Sequence, residues 1–267
     1  MSDTRKVTGV RGPKANYGLD APGVVRNLII AGGLGLIAWA FGMALHVVIW
    51  AQSPEPIRII FPLQFIGPGV TAACFFLAGW MIYYSYFGKV RMRERVLDDV
   101  PWRGDEAVLD VGCGRGLMLI GAAKRLTTGK ATGIDLWQEQ DLGGNRPEAT
   151  RRNAELEGVT DRVVIETGDA RKLPFADAAF DLVLSNAALH NIYQAEERVS
   201  AVRQIARVIK PGGRAILMDI RNLNEYARVL REAGFREVSA PQVPVMSILL
   251  MILTFGSLKP GTVVGIK

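Results

Sequence analysis

The sequence contains little cysteine and little histidine, with two residues of each among 267. Cys74 lies in a long apolar run and Cys113 between two glycines, so the pair predicts neither a disulfide framework nor a metal-binding spacing. His46 and His190 are far apart in the sequence and form no visible cluster of metal ligands. We therefore predict no metal site, and the chemistry of the protein must depend on other groups.

Charged residues are absent from two long stretches near the N-terminus. Leu28–Ala51 and Ile59–Gly88 contain no Asp, Glu, Lys or Arg, and each exceeds the roughly 20 residues that cross a bilayer as a helix. We predict transmembrane helices at about 28–51 and 59–87, joined by a short loop that contains two prolines. Two helices buried in a large soluble core are the alternative, and the basic clusters on both sides make it the weaker one.

Basic residues flank this predicted hairpin on its outer sides. Five precede the first run, and Lys89, Arg91, Arg93 and Arg95 follow the second, whereas the loop between the runs has only Arg58. Because cytoplasmic segments of membrane proteins are enriched in Lys and Arg, we predict that both termini are cytoplasmic. Orientation in the membrane thus explains the net charge of +6, and no basic stripe with interleaved aromatics indicates a nucleic-acid partner.

The rest of the chain divides into three parts. Residues 1–27 are polar and rich in glycine and proline, which predicts a disordered cytoplasmic tail. Residues 89–106 are charged and predict a linker helix. Within residues 107–267, apolar strand-like runs alternate with helical patterns, which is typical of an α/β domain with an open, mostly parallel sheet. The predicted strands are 107–111, 130–135, 163–167, 180–185, 214–220, 235–240 and 262–266.

The most informative stretch is Val108–Gly116, which reads Val-Leu-Asp-Val-Gly-Cys-Gly-Arg-Gly. Short apolar residues surround Asp110, three glycines alternate after it, and a helical pattern starts at Leu117. This order predicts a buried strand, a tight turn and a helix. Such a turn lets backbone approach a ligand closely, because glycine has no Cβ, and the helix N-terminus supplies free N–H groups. A dinucleotide fingerprint would need glycine at position 117, where the sequence has leucine.

The stretch resembles motif I of the class I S-adenosylmethionine-dependent methyltransferases, Asp/Glu-x-Gly-x-Gly-x-Gly. Four further stretches resemble the later motifs of this family in the same order, namely Gly133–Leu136, Gly168–Ala170, Phe180–Asn186 and Arg207–Gly213. The resemblance covers residues 105–220 and, more weakly, the rest of the chain. It implies a seven-stranded, mostly parallel Rossmann-like sheet of order 3-2-1-4-5-7-6, preceded here by the transmembrane hairpin, with S-adenosyl-L-methionine as cofactor.

The resemblance also implies a set of cofactor-binding residues at the ends of the first four strands. They are Asp110, Gly112, Gly114, Gly116, Asp135, Leu136, Asp169, Ala170 and Asn186. The first acid and the glycines would border the methionine part, and the second acid would hold the ribose hydroxyls, with the leucine against the adenine. The third acid and the alanine would recognise the adenine edge, and the asparagine would line the junction with the acceptor. Alone, either of the first two acids would be a helix cap or a turn residue.

His190 follows the predicted fourth strand and is the best-placed general base, which the reaction needs only if the acceptor must lose a proton. The alternative is that His190 only shapes the pocket, of which Tyr193 is a candidate wall. We interpret Cys113 as a small packed residue, because nothing near it in the sequence would generate a thiolate.

These observations predict an integral membrane methyltransferase with its catalytic domain in the cytoplasm and a bilayer as partner. The anchor favours a hydrophobic small molecule or a lipid as methyl acceptor. Methylation of a membrane-bound protein and a non-catalytic S-adenosylmethionine-binding regulator are the alternatives. The apolar segment 243–258 is interpreted either as a buried hairpin or helix, or as a flap that enters the membrane interface.

Overall fold

We analysed a computed structural model of the chain, which describes residues 14–52, 61–139, 142–239 and 259–267. These residues form two compact units, each described here by itself. The apolar segment 243–258 and nearly all of the loop predicted between the two apolar helices lie outside the described residues.

The first unit is built from long helices. Helix α1 is Pro22–Gln52 and helix α2 is Phe61–Tyr83; a π-helical turn, Tyr84–Gly88, then leads into α3, Lys89–Asp98. The first helix thus begins at Pro22 rather than at residue 28, because proline is well tolerated at the first helical position.

Close approach of α1 and α2 depends on glycine. A Cβ added to Gly35 would lie 2.6 Å from Oγ1 of Thr71, and one added to Gly67 would lie 3.2 Å from Cβ of Trp39. Small residues at a helix crossing allow the two backbones to approach closely. By length and composition, two stretches of this unit could cross a membrane, Pro22–Ala44 and Gly67–Asp98. Core helices of soluble proteins pass the same test, but only 11% and 17% of the tested windows are buried within the protein.

Residues 18–20, just before α1, make specific contacts, although the sequence predicted a disordered tail over residues 1–27; residues 1–13 of that tail lie outside the described residues. Nζ of Lys89 donates to Oδ1 of Asp20 (2.8 Å) and to the carbonyl of Gly18 (2.7 Å). The backbone N–H of Asp20 donates to Oγ of Ser85 (3.1 Å). Lys89 is 4% exposed, and a buried ammonium group needs such partners to offset the loss of hydration.

The second unit contains a seven-stranded sheet of order β3-β2-β1-β4-β5-β7-β6. Its strands are β1 Ala107–Val111, β2 Lys130–Asp135, β3 Val163–Thr167, β4 Phe180–Asn186, β5 Ile209–Asp219, β6 Glu237–Val238 and β7 Gly261–Ile266. Its helices are α4 Leu117–Ala123, α5 Pro147–Leu156, α6 Ala195–Val208 and α7 Leu223–Glu232. β7 is antiparallel to both of its neighbours, and the other strand pairs are parallel. The strand order implied by the family resemblance is therefore confirmed.

Strand β5 begins at Ile209 rather than at the predicted Arg214. Ile209 pairs with Phe180, and the pairing then shifts, so that Arg214 lies opposite Leu182. The segment Pro211–Gly213 is thus an irregularity within the strand and not a separate turn before it. Proline and glycine inside a strand are typical of such bulges.

The carboxyl ends of the central strands gather at one edge of the sheet. Asp110 of β1 lies opposite Gly133 of β2 and Leu184 of β4. Because neighbouring parallel strands end at the same edge, the loops after β1, β2, β3 and β4 lie next to one another. In open α/β sheets this edge is where ligands bind.

Candidate active site

The turn after β1 has a backbone that requires glycine. The φ angles of Gly112, Gly114 and Gly116 are +73°, +52° and +86°, a region that favours glycine. A Cβ added to Gly112 would lie 2.2 Å from Cβ of Ala188 in the loop after β4. The N–H of Gly112 donates to the carbonyl of Ile134 (2.8 Å), which ties the turn to the end of β2. We call residues 112–116 the glycine turn.

Asp110 is a buried carboxylate directly in front of the glycine turn. Its Oδ2 accepts a hydrogen bond from the N–H of Leu119 in the first turn of α4 (2.8 Å). Among the described residues, its Oδ1 has no hydrogen-bond partner. Burial raises the pKa of Asp110 to about 7; the hydrogen bond from Leu119 opposes this rise, and the charge of Asp135 adds to it. Asp110 thus keeps one buried, unsatisfied acceptor directly in front of the glycine turn.

Asp135 ends β2 and meets the glycine turn, as the sequence predicts. Its Oδ2 accepts from the N–H of Gly114 (2.8 Å), and its Oδ1 accepts from the N–H of Trp137 (2.6 Å). Trp137 has a φ of +61°, which is rare and strained for a bulky side chain, and its indole N–H donates to Oγ1 of Thr167 (2.8 Å). Leu136 is 48% exposed beside this carboxylate.

Asp169 follows β3 and lies in the loop next to Asp135, because the N–H of Gly168 donates to the carbonyl of Asp135 (3.1 Å). Both of its carboxylate oxygens pair with the side chain of Arg171, which also contacts Glu197 (2.5 Å). The hydrogen bond from this side chain lowers the pKa of Asp169. The sequence did not predict that the guanidinium of Arg171 would pair with the carboxylate of Asp169. Ala170 starts the 3₁₀ turn Ala170–Lys172.

Asn186 is the last residue of β4, and the loop that follows carries His190. Nδ1 of His190 lies 2.5 Å from Oδ1 of Asp219, and the backbone N–H of His190 donates to Oδ2 of the same carboxylate (3.0 Å). The hydroxyl of Tyr226 in α7 also donates to Oδ2 of Asp219 (3.0 Å). Burial, followed by the charge of Asp219, raises the pKa of Tyr226, so the phenol stays protonated and keeps donating.

Asp219 is the functional candidate that sequence reasoning missed. It ends β5 in the same way that Asp135 ends β2, as an acid directly after apolar strand residues. That position at a strand end was the available signal. Its side chain is 1% exposed and that of His190 is 18% exposed. The carboxylate therefore fixes the imidazole from the protein interior, while the imidazole itself reaches the surface.

Arg198 of α6 holds the loop that carries His190. Its Nε donates to Oε1 of Glu225 in α7 (2.6 Å), and its Nη1 donates to the carbonyl of Ile192 (2.8 Å). The hydrogen bond from Glu225 raises the pKa of Arg198 further, so the guanidinium is charged at any working pH. The nearby Tyr193 is 87% exposed, so its ring is not packed against the protein.

Comparison with known protein families places this edge of the sheet in context. Residues 109–217 match the family described as a methyltransferase domain. These residues are thus similar to that family, and we call the sheet-containing unit in which most of them lie the methyltransferase domain. The matched region contains the glycine turn, Asp135, Asp169 and His190.

Two curated relatives illustrate the similarity of this methyltransferase domain to known enzymes. The chain is 32% identical over 182 residues to the 27-O-demethylrifamycin SV methyltransferase of Amycolatopsis mediterranei, which covers 57% of this chain and 62% of that protein. It is 31% identical over 131 residues to the ubiquinone/menaquinone biosynthesis C-methyltransferase UbiE of Roseobacter denitrificans, which covers 49% of each. The chain thus spans less than two thirds of the length of either relative.

Solved structures show the same fold. The [4+2]-cyclase SpnF is similar with a TM-score of 0.54 and 21% identity, over 67% of this chain and 80% of that one. Geranyl diphosphate C-methyltransferase from Streptomyces coelicolor, bound to Mg²⁺, geranyl diphosphate and S-adenosyl-L-homocysteine, is similar with a TM-score of 0.50 and 16% identity, over 66% and 78%. The cofactor of the methyltransferase domain is S-adenosyl-L-methionine.

The residues at the sheet edge fit this cofactor chemically. The unsatisfied, buried oxygen of Asp110 can accept from a cationic group. A Cβ added to Gly112 or Gly116 would lie within 3.0 Å of a neighbouring side chain, so the close packing of the glycine turn requires glycine at both positions. Three carboxylates at neighbouring strand ends can accept from the ammonium, hydroxyl and amino groups of an adenosyl amino acid. The roles of individual residues toward the cofactor stay predictions.

Proposed function

We propose that the protein is a membrane-anchored methyltransferase that transfers a methyl group from S-adenosyl-L-methionine to a hydrophobic small molecule or a lipid. The observation that carries the catalytic part of this proposal is the buried Asp219, which holds His190 in the loop next to the glycine turn. In this arrangement Ala188, two residues before His190, would touch a Cβ at Gly112, so the candidate base and the cofactor turn lie in adjoining loops.

For the cofactor, we propose the roles implied by the family. Asp110 with Gly112, Gly114 and Gly116 borders the methionine part. The carboxylate of Asp135 holds the ribose hydroxyls, and Leu136 lies against the adenine. Asp169 and the backbone of Ala170 recognise the adenine edge, which requires Arg171 to release part of its contact with Asp169. Asn186 lines the junction with the acceptor. When bound, the cofactor supplies an electrophilic methyl group.

For the acceptor, we propose His190 as general base. Asp219 accepts a hydrogen bond from Nδ1–H of His190, which assigns the lone pair of the neutral imidazole to Nε2. Nε2 can then take the proton that a hydroxyl or carbon nucleophile loses as its new bond to carbon forms. The negative charge of Asp219 stabilises the resulting imidazolium, and the hydrogen bond from Tyr226 keeps the carboxylate in place.

The membrane anchor is proposed from the first two helices. Large apolar side chains on both of them are exposed, including Ile37 and Phe41 at 66% each and Phe76 at 61%. Such a surface is costly in water and favourable in lipid. Aromatic residues and Arg91, whose Nη1 donates to the hydroxyl of Tyr83 (3.2 Å), suit the membrane–water interface. The basic flanks support our proposal that both termini and the catalytic domain are cytoplasmic.

The hydrophobic acceptor is supported by the anchor and by the relatives. Two of the similar proteins are named for ubiquinone or menaquinone biosynthesis and for a rifamycin, and one similar structure holds geranyl diphosphate. These names describe those proteins only. The compounds that they mention share one property, because each has a large apolar part. An acceptor of this kind would partition into the bilayer that the first two helices enter.

The deciding experiment incubates the purified full-length protein, in detergent or vesicles, with methyl-labelled S-adenosylmethionine and lipid extract from its own membranes. We expect a labelled, lipid-soluble product in mass spectrometry. The His190→Gln variant should lower turnover at saturating cofactor by about 100-fold or more without changing cofactor affinity. His46→Gln, at the other histidine of the chain, is the matched control and should leave turnover unchanged.

Other outcomes of this experiment would refute parts of the proposal. Label found in membrane proteins and absent from lipids would identify a protein acceptor. Tight cofactor binding without transfer to any membrane component would identify a non-catalytic binding protein. Equal turnover of His190→Gln and the unsubstituted protein would remove the general base while leaving the rest of the proposal intact.

A further inference from the structure

The segment directly before the first helix binds to the methyltransferase domain. The backbone N–H of Asn16 donates to Oδ1 of Asn153 in α5 (2.9 Å), and Nδ2 of Asn153 donates back to the carbonyl of Asn16 (2.9 Å). The next residue, Tyr17, is 7% exposed, and its hydroxyl donates to Oε1 of Glu157 (3.3 Å). We call residues 14–17 the N-terminal segment.

The same side chain of α5 also holds the glycine turn. Nδ2 of Asn153 donates to the carbonyl of Arg115 (2.9 Å), and one turn earlier in α5 Oγ1 of Thr150 donates to the carbonyl of Gly114 (2.7 Å). Asn153 is 2% exposed and Thr150 is fully buried. The N–H of the same residue, Gly114, donates to the carboxylate of Asp135. Two side chains of α5 thus fix the orientation of the glycine turn.

We propose that the N-terminal segment is a positioning element for the cofactor, which acts on the glycine turn through Asn153. A side-chain amide has one acceptor oxygen and two donor hydrogens. In Asn153 the oxygen and one hydrogen serve the N-terminal segment, and the other hydrogen serves the turn. When the N-terminal segment detaches, the buried amide of Asn153 loses two of its three hydrogen bonds. The amide can replace them only if it rotates away from the carbonyl of Arg115 or if water enters.

This arrangement makes binding of the segment and binding of the cofactor mutually dependent. Cofactor binding requires the turn in its present orientation, the segment favours that orientation, and linkage makes the effect reciprocal. The segment continues along the chain into α1, which begins at Pro22. Detachment of the N-terminal segment would therefore lower cofactor affinity, although the segment itself does not contact the cofactor. The inference does not depend on the acceptor or on His190.

The first test compares two substitutions at one position in the full-length protein. Asn16→Pro removes the N–H that binds Asn153, whereas Asn16→Ala removes the same side chain and keeps that N–H. We expect the dissociation constant for S-adenosylmethionine to be about three- to tenfold higher in the proline variant than in the alanine variant, the effect of one hydrogen bond of ordinary net strength. Turnover at saturating cofactor should be equal in the two variants.

The second test uses the unsubstituted protein, so it does not depend on how a variant folds. Saturating S-adenosylhomocysteine should slow hydrogen exchange in a peptide that covers residues 14–17 by at least about threefold, because linkage acts in both directions. A contact that is not coupled to the glycine turn would show no slowing beyond that of the rest of the methyltransferase domain, which any bound ligand stabilises. Exchange in this peptide slowed no more than in the rest of the domain, or equal cofactor affinity of the two Asn16 variants, would overturn the proposal.

Discussion

Replacing Asp110 by asparagine tests whether a buried, unsatisfied carboxylate controls cofactor binding. The substitution keeps an oxygen that can accept from the N–H of Leu119 and places an NH₂ group where Oδ1 has no partner. It also removes a group that gains and loses a proton near neutral pH, since burial raises the pKa of Asp110 to about 7. Shape and hydrogen bonding at the turn are therefore nearly preserved, and the variable charge is lost.

The size of the effect follows from linkage. S-adenosylmethionine carries a sulfonium and an ammonium group, so it should bind best when Asp110 is ionised. If only the ionised form binds, a pKa of about 7 makes the affinity at pH 6 about tenfold lower than at pH 8. At pH 7, binding should release about half a proton per site. The Asp110→Asn variant should bind more weakly and lack this pH-dependent component.

Titration calorimetry measures both quantities. Dissociation constants at pH 6, 7 and 8, in buffers of different ionisation enthalpy, give the affinity and the number of protons released. Subtracting the values of the asparagine variant removes any titration of the cofactor itself. Identical pH dependence in the two proteins would refute the argument, because Asp110 would then be ionised throughout or distant from the cationic groups.

The same shift has a consequence for the stability of the cofactor-free protein. Because the folded-state pKa of Asp110 lies above its value in the unfolded chain, the folded state holds the proton more tightly between about pH 4 and pH 7. This tighter proton binding stabilises the folded state by up to about 4 kcal/mol below this pH range, and the stabilisation is lost as pH rises through the range. Thermal unfolding at pH 5 and pH 8 should show this loss in the unsubstituted protein relative to Asp110→Asn.

Three further predictions use variants that the fold supplies with controls. Gly112→Ala, which adds a clash to left-handed backbone, should lower the free energy of unfolding by more than about 2 kcal/mol and abolish cofactor binding. Gly158 also has a positive φ, but a Cβ there would meet nothing within 4 Å. Gly158→Ala should therefore lower the free energy of unfolding by about 1 kcal/mol and leave cofactor binding unchanged in calorimetry. Gly35→Ala should lower the unfolding temperature in detergent by separating α1 from α2, whereas Gly33→Ala, with nothing within 4 Å, should not. Arg198→Lys should destabilise the domain by about 1–2 kcal/mol in chemical unfolding, because an ammonium group cannot reproduce the guanidinium contacts. Equal effects within either glycine pair, or a neutral Arg198→Lys, would contradict these assignments.

Local features of the site could be predicted from the sequence because they depend on neighbours in the chain. The strand before the glycine turn, the left-handed glycines and the following helix occupy consecutive residues and have few alternative structures. Asp110 and Asp135 lie close together because parallel strands end at one edge, which periodicity already implies. The strand order, in contrast, was implied by the family resemblance. Alternation of strands and helices alone permits several orders.

Other features depend on contacts that no local pattern encodes. Asp219 lies 29 residues after His190, and only the β4–β5 pairing brings the two together. Asn16 and Asn153 are separated by 137 residues, and the polar sequence around Asn16 resembles a disordered tail. In both cases the two partners are far apart in the chain, so the sequence around either partner does not show which residue it contacts.

The position of β7 has a consequence for biogenesis. It is the last strand along the described chain, yet it lies between β5 and β6 and pairs with β5 from Arg214 to Asp219. Until residues 261–266 have left the ribosome, β5 therefore exposes an open edge in the middle of a sheet whose first five strands have already been synthesised. Open apolar edges of this kind promote aggregation of partly folded chains. Nascent chains of this protein should need chaperone protection longest at this edge. C-terminal truncations that remove residues 261–266 should lower the yield of folded protein in the cell more than the small number of deleted residues suggests.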